Sequence, residues 1–486
     1  MVIWDIPIWC HLLNERLFIN GEFVPSISGR KFNIYNLAIE QLSASIYEAD
    51  ANDVDVAVKA AQEALPSWSA LSASERGAYL FQLADAMERA MPEIRYLEAI
   101  SMGRPVHSDF SSASAPALFR YFADKAMDFS GETSLNTANM VNITLRQPYG
   151  VCGAIIPWNA AMAMIAAKVA PALIAGNTMV LKTSEKAPLS AAVVARCAQE
   201  AGMPKGILNI LNGYGTPCGE AIAKHVDIRR ISFTGSEPVG RLIKKAAADS
   251  NLKKVTLELG GKAPLIVFKD ANIEKAVGAA ALSILANTGQ FCMACSRIYV
   301  HESIADKFVT GMKAAMATAL GDDPLTKETL RGPQADKLQF DRVMSFLDYA
   351  KATGLDIQLG GGRERATGFF VQPTIIYNAP EESRVVQEEI FGPVVCINTF
   401  EKEDDALARA NNTQYGLYAS VFTEDISRAL RVAKRFEAGN VGINCASPTS
   451  AALDMPIGGW KASGDGRDFS QHSLNEWTQL KSLAGY

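Results

Sequence analysis

Five short, almost uninterrupted apolar runs, near 151–156, 178–182, 207–211, 229–234 and 254–257, alternate with alanine-rich stretches at helical spacing. A strand that is apolar along its whole length is covered on both faces, and strands separated by helical crossovers pair in parallel. The alternation therefore restricts the fold to an α/β class built on a doubly wound parallel sheet. A second alternating set runs from about 262 to 460, with strands predicted near 297–301, 394–399 and 419–423. Two α/β units in series fit 486 residues that are 48% hydrophobic and 20% charged, enough chain to bury large cores without disulfides.

The first part of the chain reads differently. Residues 16–48 alternate apolar runs with Asn-Gly and Ser-Gly turns, as in Leu17-Phe-Ile-Asn-Gly-Glu-Phe-Val24, which predicts a β-rich segment. Ser72-Ala-Ser-Glu75 is a capping box, and Leu80, Leu83 and Met87 repeat behind it at helical spacing. From Val151 to Leu181 the only charge is Lys168, which mimics a membrane span. Pro157, Asn159, Pro171 and Asn177 punctuate it, so it reads instead as a strand, a turn, a buried helix near 162–175 and a second strand.

A net charge of −5 leaves no basic surplus to coat a phosphate backbone, so nucleic acid is not an expected partner. The eight cysteines are scattered, and no histidine joins them at metal-ligand spacing, so no metal is expected. Residues 1–13 are apolar but lack a basic leader and a small-x-small cleavage site, and they carry Asp5 and Pro7. With dispersed thiols this reads as a cytoplasmic protein.

Several residues have the right chemistry for a site. Gly289-Gln-Phe-Cys-Met-Ala-Cys295 holds the strongest candidate nucleophile, Cys292; a buried structural cysteine would look the same. Glu258, inside the apolar run Val255-Thr-Leu-Glu-Leu-Gly-Gly261, is a candidate general base or a carboxylate paired with an unseen cation. Asn159, in Pro157-Trp-Asn159, is an amide donor suited to an oxyanion, or a turn-forming residue. Gly235 and Gly240 frame a strand-to-helix turn that could seat a pyrophosphate, although a plain glycine turn fits equally. Lys182 and Glu185 lie just past a strand's carboxyl end, where open sheets bind ligands; a carboxylate there suits ribose hydroxyls and repels a 2′-phosphate, and a solvated loop would look the same. Singly, the ordinary reading of each wins or draws. Together they make a donor, a base, a soft nucleophile, a pyrophosphate turn and a ribose carboxylate, each at an element end.

From Leu17-Phe-Ile-Asn-Gly-Glu to Trp477-Thr-Gln-Leu-Lys481 the chain resembles the NAD(P)-dependent aldehyde dehydrogenase superfamily, of the hydrolytic, non-CoA-acylating type. The resemblance rests on Pro157-Trp-Asn, Lys182-Thr-Ser-Glu185, Phe233-Thr-Gly-Ser236, Leu257-Glu-Leu-Gly-Gly-Lys262, Gly289-Gln-x-Cys292, Glu388-Glu-Ile-Phe-Gly-Pro393 and Gly458-Gly-Trp-Lys-x-Ser-Gly464. It implies that Cys292 attacks an aldehyde to form a thiohemiacetal, with the oxyanion held by Asn159 and the Cys292 N–H. Hydride transfer to NAD would leave a thioester, which water activated by Glu258 would hydrolyse. Lys168 matches a lysine that joins a proton relay with that glutamate in relatives. Lys182, Glu185 and Ser236 would take the adenosine side and pyrophosphate, Glu389 and Phe391 the nicotinamide riboside, and Ile156, Trp158, Gly215, Gly235 and Leu259 would complete the cofactor site. NAD is the implied cofactor and NADP a weaker one.

The resemblance also implies a Rossmann-like NAD-binding domain (15–125 and 149–260), a catalytic domain (261–460) and a small β oligomerisation flap (126–148 and 475–486), in a homodimer or homotetramer. Ala160, Met164, Ala167, Ala286, Phe291 and Met293 would line the substrate tunnel. Ala160, Ala167 and Ala286 stand where many relatives carry aromatics, so a bulky, aromatic or long-chain aldehyde is expected. The small, polar stretch from Asn444 to Pro456 names no substrate. Ile457 replaces a common Phe, and Arg331-Gly-Pro-Gln-Ala-Asp-Lys337 is similar to fungal members, some of them in specialised metabolism. Cys295 supplies a second thiol that could pair with Cys292 under oxidation, or simply pack. A CoA-acylating dehydrogenase and a catalytically silent protein on the same scaffold are the alternatives; Glu258 speaks against the first, and the intact Cys292, Glu258 and Asn159 against the second.

Overall fold

The computed structural model describes residues 15–128, 130–449 and 452–485. The reading of residues 1–13, Cys10, position 129 of the flap, positions 450 and 451 of the 444–456 stretch, and Tyr486 lie outside the described residues.

The five apolar runs form the parallel centre of an eight-stranded sheet. Its order is Glu22–Val24, Leu17–Ile19, Leu208–Leu211, Thr178–Lys182, Val151–Ile155, Arg230–Thr234, Lys254–Glu258, Gly464–Asp465. The central pairs are parallel and both outer connections are antiparallel. Each predicted strand agrees with the observed one within one residue, because full burial on both faces fixes where an apolar run can end. The chain winds outward from Val151–Ile155 in one direction and then returns to its other side at Arg230–Thr234. The crevice between the carboxyl ends of those two strands is therefore the topological switch point, where such sheets bind ligands.

The stretch that mimics a membrane span resolves as predicted into strand, buried helix Ala161–Ile174 and strand. Among the described residues no helix is long and apolar enough to cross a membrane. The capping box forms in full: Ser72 Oγ accepts from the Glu75 N–H at 3.3 Å, and Glu75 Oε2 accepts from the Ser72 N–H at 2.7 Å. Replacing such a cap by alanine costs about 1 kcal/mol. Leu80, Leu83 and Met87 of that helix are fully buried against the helix Ala161–Ile174 and its neighbours.

The second sheet has seven strands in the order Asp356–Leu359, Thr374–Tyr377, Val394–Phe400, Arg297–His301, Pro264–Val267, Tyr418–Phe422, Asn440–Ile443. All its pairs are parallel except the edge pair of Asp356–Leu359 with Thr374–Tyr377. A third, antiparallel sheet joins Thr133–Ser134, Val141–Pro148 and Thr478–Gly485. Gly464–Asp465 returns late in the chain to close the far edge of the first sheet beside Glu258.

Candidate active site

The site is assembled where the two large sheets meet. Glu258 is the last residue of its strand, and Gly260-Gly261 follows at once. A Cβ at Gly261 would collide with the Cys292 carbonyl oxygen, and one at Gly260 with Glu389 Oε2. Glycine at both positions lets the loop behind Glu258 lie against the main chain of Cys292. Ser463 fastens the same loop: its Oγ donates to the Gly260 carbonyl at 2.7 Å, and its carbonyl accepts from the Leu259 N–H at 2.9 Å.

Cys292 follows the helix Ile273–Leu285 and a tight turn, Ala286–Gly289, in which Asn287 and Thr288 take left-handed φ angles of 50° and 58°. Gly289 is also left-handed, and a Cβ there would collide with the Gly392 carbonyl. The nucleophile turn thus interlocks with the Glu388–Pro393 segment. The thiol is half-buried. Burial pushes its pKa up to about 12, with the carboxylates of Glu389 and Glu258 adding to the rise; the main-chain amides of Cys292 and Met293 pull the other way.

Asn159 closes the other side. Its Nδ2 donates to the Gln290 carbonyl at 3.0 Å, two residues ahead of Cys292. Its own carbonyl accepts from Asn287 Nδ2 at 3.1 Å and from Arg104. The carboxamide keeps a second N–H for a ligand. Glu258 is treated in the opposite way. It is buried, and among the described residues its Oε1 has no hydrogen-bond partner. Burial raises its pKa well above the carboxylate range, the charge of Asp468 raises it further, and Lys168 and Arg467 oppose the rise. Lys168, fully buried in the middle of its helix, is ion-paired to Asp468.

The cofactor candidates gather around the switch-point crevice. Ile156 follows the first strand and donates its N–H to the Lys182 carbonyl at 3.1 Å. The Trp158 ring meets the Phe391 ring edge-on at 5.4 Å, with the Lys186 ammonium over it at 5.3 Å. Lys182 Nζ donates to the Thr183 carbonyl at 2.8 Å, and burial lowers its pKa. Glu185 accepts from Ser184 Oγ at 3.5 Å. Gly235 sits on the Glu258 main chain, its N–H on that carbonyl at 3.0 Å. Ser236 precedes the helix Glu237–Asp249 without capping it by its own hydroxyl, and Pro238 in the first turn has no N–H to donate. Gly215 begins the turn Gly215–Gly219, with open space where a Cβ would stand. Glu389 accepts the Gly261 N–H at 2.8 Å, and burial pushes its carboxyl up to about 7. A helix start not capped by its Ser236 hydroxyl, an uncrowded glycine turn and two nearby carboxylates fit a dinucleotide such as NAD.

The tunnel candidates are less uniform. Ala160 and Met293 are buried, while Met164, Ala286 and Phe291 are half-buried. Ala167 is fully buried in the helical core and presents no surface. Phe291 meets Phe110 edge-on at 6.1 Å. The seven described cysteines are free thiols, and Cys295 is buried with its N–H on Ser283 Oγ at 3.0 Å.

Four neighbours of this site were not found by sequence reasoning: Arg104, Phe110, Asn287 and Asp468. The signal for Asp468 was Lys168 itself, since a buried ammonium in an apolar helix requires an acid. Nothing local marked the other three.

Comparison with known proteins agrees with this geometry. The profile of the aldehyde dehydrogenase family matches residues 23–483. Aldehyde dehydrogenase 1A1 of Rattus norvegicus is 45% identical over 478 residues, covering 97% of this chain and 95% of that protein. An aldehyde dehydrogenase of Emericella nidulans is 42% identical over 469 residues, covering 96% and 94%. The solved structure of the P. syringae AldA indole-3-acetaldehyde dehydrogenase, a cysteine-to-alanine mutant in complex with NAD+ and IAA, superposes with a TM-score of 0.95 at 35% identity, covering 97% of both chains.

Proposed function

The chain belongs to the aldehyde dehydrogenase family, and on that premise we propose that Cys292 gives up its thiol proton to water and, as the thiolate, attacks the carbonyl carbon of an aldehyde while Asn159 and the Cys292 N–H hold the oxyanion. The overall reaction is NAD-dependent oxidation of the aldehyde to a carboxylic acid. NAD, when bound, supplies the acceptor for the hydride that leaves the substrate carbon. Lys182, Glu185 and Ser236 hold its adenosine side and pyrophosphate; Glu389 and Phe391 hold the riboside; Ile156, Trp158, Gly215, Gly235 and Leu259 shape the crevice. Glu258 takes a proton from the water that hydrolyses the Cys292 thioester, and the Lys168–Asp468 pair tunes that carboxylate.

One observation carries this reading. Glu258 keeps a bare, buried oxygen beside a loop packed on the Cys292 main chain, and Asn159 is fastened to the residue two before that cysteine. A buried carboxylate with an unused oxygen is destabilising, and groups carrying such a cost cluster at functional sites.

The substrate proposed is a bulky aromatic or long-chain aldehyde. Small side chains at Ala160 and Ala286 support it, as does the Phe291–Phe110 pair, which offers an apolar wall. The P. syringae neighbour is named for an indole aldehyde. We assign the cofactor to 15–125 and 149–260, which also supply Asn159 and Glu258, the nucleophile to a catalytic domain at 261–460, and assembly to 126–148 and 475–486. Homodimer or homotetramer formation through that last sheet is supported by its edge strand Thr478–Gly485, with exposed Leu480 and Leu483 beside exposed Val141 and Leu145. Buried free thiols suit the cytoplasm.

The test is NADH formation with purified protein, NAD and a panel of small, long-chain and aromatic aldehydes. Faster turnover of the bulky members is expected. Equal rates on acetaldehyde and large aldehydes contradict the substrate class, and product formation that requires CoA contradicts hydrolysis by Glu258.

A further inference from the structure

Arg104 lies outside every motif that carries the family resemblance. It follows the helix Met91–Met102 across Gly103, whose φ of 78° turns the chain back toward the first sheet. The side chain is 2% exposed. Its Nε stands 3.3 Å from Asp109 Oδ1 and 3.7 Å from Glu98 Oε2, ion-pair distances at which Nε finds no hydrogen-bond partner among the described residues, and its Nη2 donates to the Asn159 carbonyl. Both carboxylates are themselves held. Glu98 Oε1 accepts from Ser190 Oγ at 2.5 Å, and Asp109 Oδ1 accepts from the Ser112 N–H at 3.0 Å, capping the helix Phe110–Asp124.

This is more than a peptide carbonyl requires. Asn287 alone would satisfy the Asn159 oxygen. Burying a guanidinium between two acids is costly unless the geometry is good. A planar, rigid fork is suited to fixing the plane of its acceptor in a way a flexible ammonium is not. With Arg104 and Asn287 both donating to its carbonyl, the Asn159 peptide is held from two directions. Its carboxamide is then held by the Gln290 carbonyl at 3.0 Å.

We propose that Arg104, flanked by Glu98 and Asp109, is a positioning residue whose hydrogen bond to the Asn159 carbonyl fixes that main chain so that the carboxamide N–H points at the substrate oxyanion. The proposal rests on the reading of Asn159 as the oxyanion donor. It explains why a buried guanidinium and two acids lie against a peptide of the site and not in the site itself.

The experiment is a double-mutant cycle in the full-length enzyme, with rates expressed per titrated active site. Arg104→Lys keeps the buried charge but cannot make both contacts at once. Its kcat is expected to fall about tenfold with KM within about twofold, since a slightly displaced donor loses transition-state stabilisation more than ground-state binding. On an Asn159→Ala background, Arg104→Lys is expected to have no further effect. Equal fractional losses on the two backgrounds would overturn the proposal and leave Arg104 a purely structural ion pair. An unchanged kcat in Asn159→Ala alone would overturn the oxyanion reading, and the proposal with it. If Arg104→Lys does not fold, Arg104→Gln combined with Asp109→Asn removes one charge of each sign, keeps a capping side chain at 109, and is judged by the same cycle.

Discussion

Asn159 and Glu258 stand at the carboxyl ends of strands in the same sheet, yet the fold treats them in opposite ways. Asn159 is tied at three points: its carbonyl to Arg104 and Asn287, and its carboxamide to the Gln290 carbonyl. Glu258 keeps a buried oxygen without a partner among the described residues, and its surroundings push it toward the protonated form. The contrast matches the roles proposed for the two groups. An oxyanion donor works by being fixed before charge develops, so it needs no reorganisation during reaction. A general base must change protonation state and reach water, so extra hydrogen bonds to its charged form would lower its pKa and hold it still. The same site therefore contains a rigid donor and a free base.

The contrast can be broken or sharpened in order of expected effect. Cys292→Ala removes the group that both serve, and NADH formation is expected to fall to background with NAD binding retained in a titration. Glu258→Gln is expected to lower steady-state turnover about 10²- to 10⁴-fold, the range for loss of a general base. Asn159→Ala is expected to lower kcat about 10²- to 10³-fold with little change in KM, the range for loss of one oxyanion donor.

A pH profile separates the two groups further. Below its raised pKa Glu258 is protonated and cannot accept a proton, so kcat is expected to rise with pH and level off once Glu258 ionises. Glu258→Gln should remove that rise, whereas Asn159→Ala should lower the whole curve without moving it. Lys168→Met takes away the charge that opposes protonation and leaves Asp468 alone, so the rise should shift to higher pH. It should also destabilise the fold by about 3–5 kcal/mol, as expected when one partner of a buried pair is removed. The smallest effect expected is Ala286→Phe. It narrows the approach to Cys292 and should move selectivity toward small aldehydes by about tenfold, read as the ratio of kcat/KM values.

Much of this was legible in the sequence because it is local. The five strands of the first sheet are buried on both faces, so their apolar runs begin and end where the strands do. The second sheet was read less fully. Pro264–Val267, Thr374–Tyr377 and Asn440–Ile443 are only four residues each; the first lies in the apolar run Ala263–Phe268 but opens on a proline, and Asn440–Ile443 has no long apolar run to mark it. Cys292, Glu258 and Asn159 could be nominated because their chemistry and short motifs are local, and the neighbouring Gly260, Gly261 and Gly289 have backbone tasks that the structure makes visible. What sequence could not supply were polar partners chosen by packing. Arg104 reaches Asn159 across 55 residues, and Lys168 reaches Asp468 across 300. A buried Lys168 announces that an acid exists somewhere but not which one, and Arg104 announces nothing at all.

The most direct test of the rigid-donor, free-base division is the amplitude of the first turnover of NADH after mixing enzyme and NAD with aldehyde. Glu258→Gln is expected to release NADH nearly equal to the concentration of active sites and then to proceed slowly, because the thioester forms but is not hydrolysed. Asn159→Ala is expected to show no such burst, because formation of the thioester itself is slowed. The reverse pattern, a burst in Asn159→Ala and none in Glu258→Gln, would contradict the division of labour between the two residues.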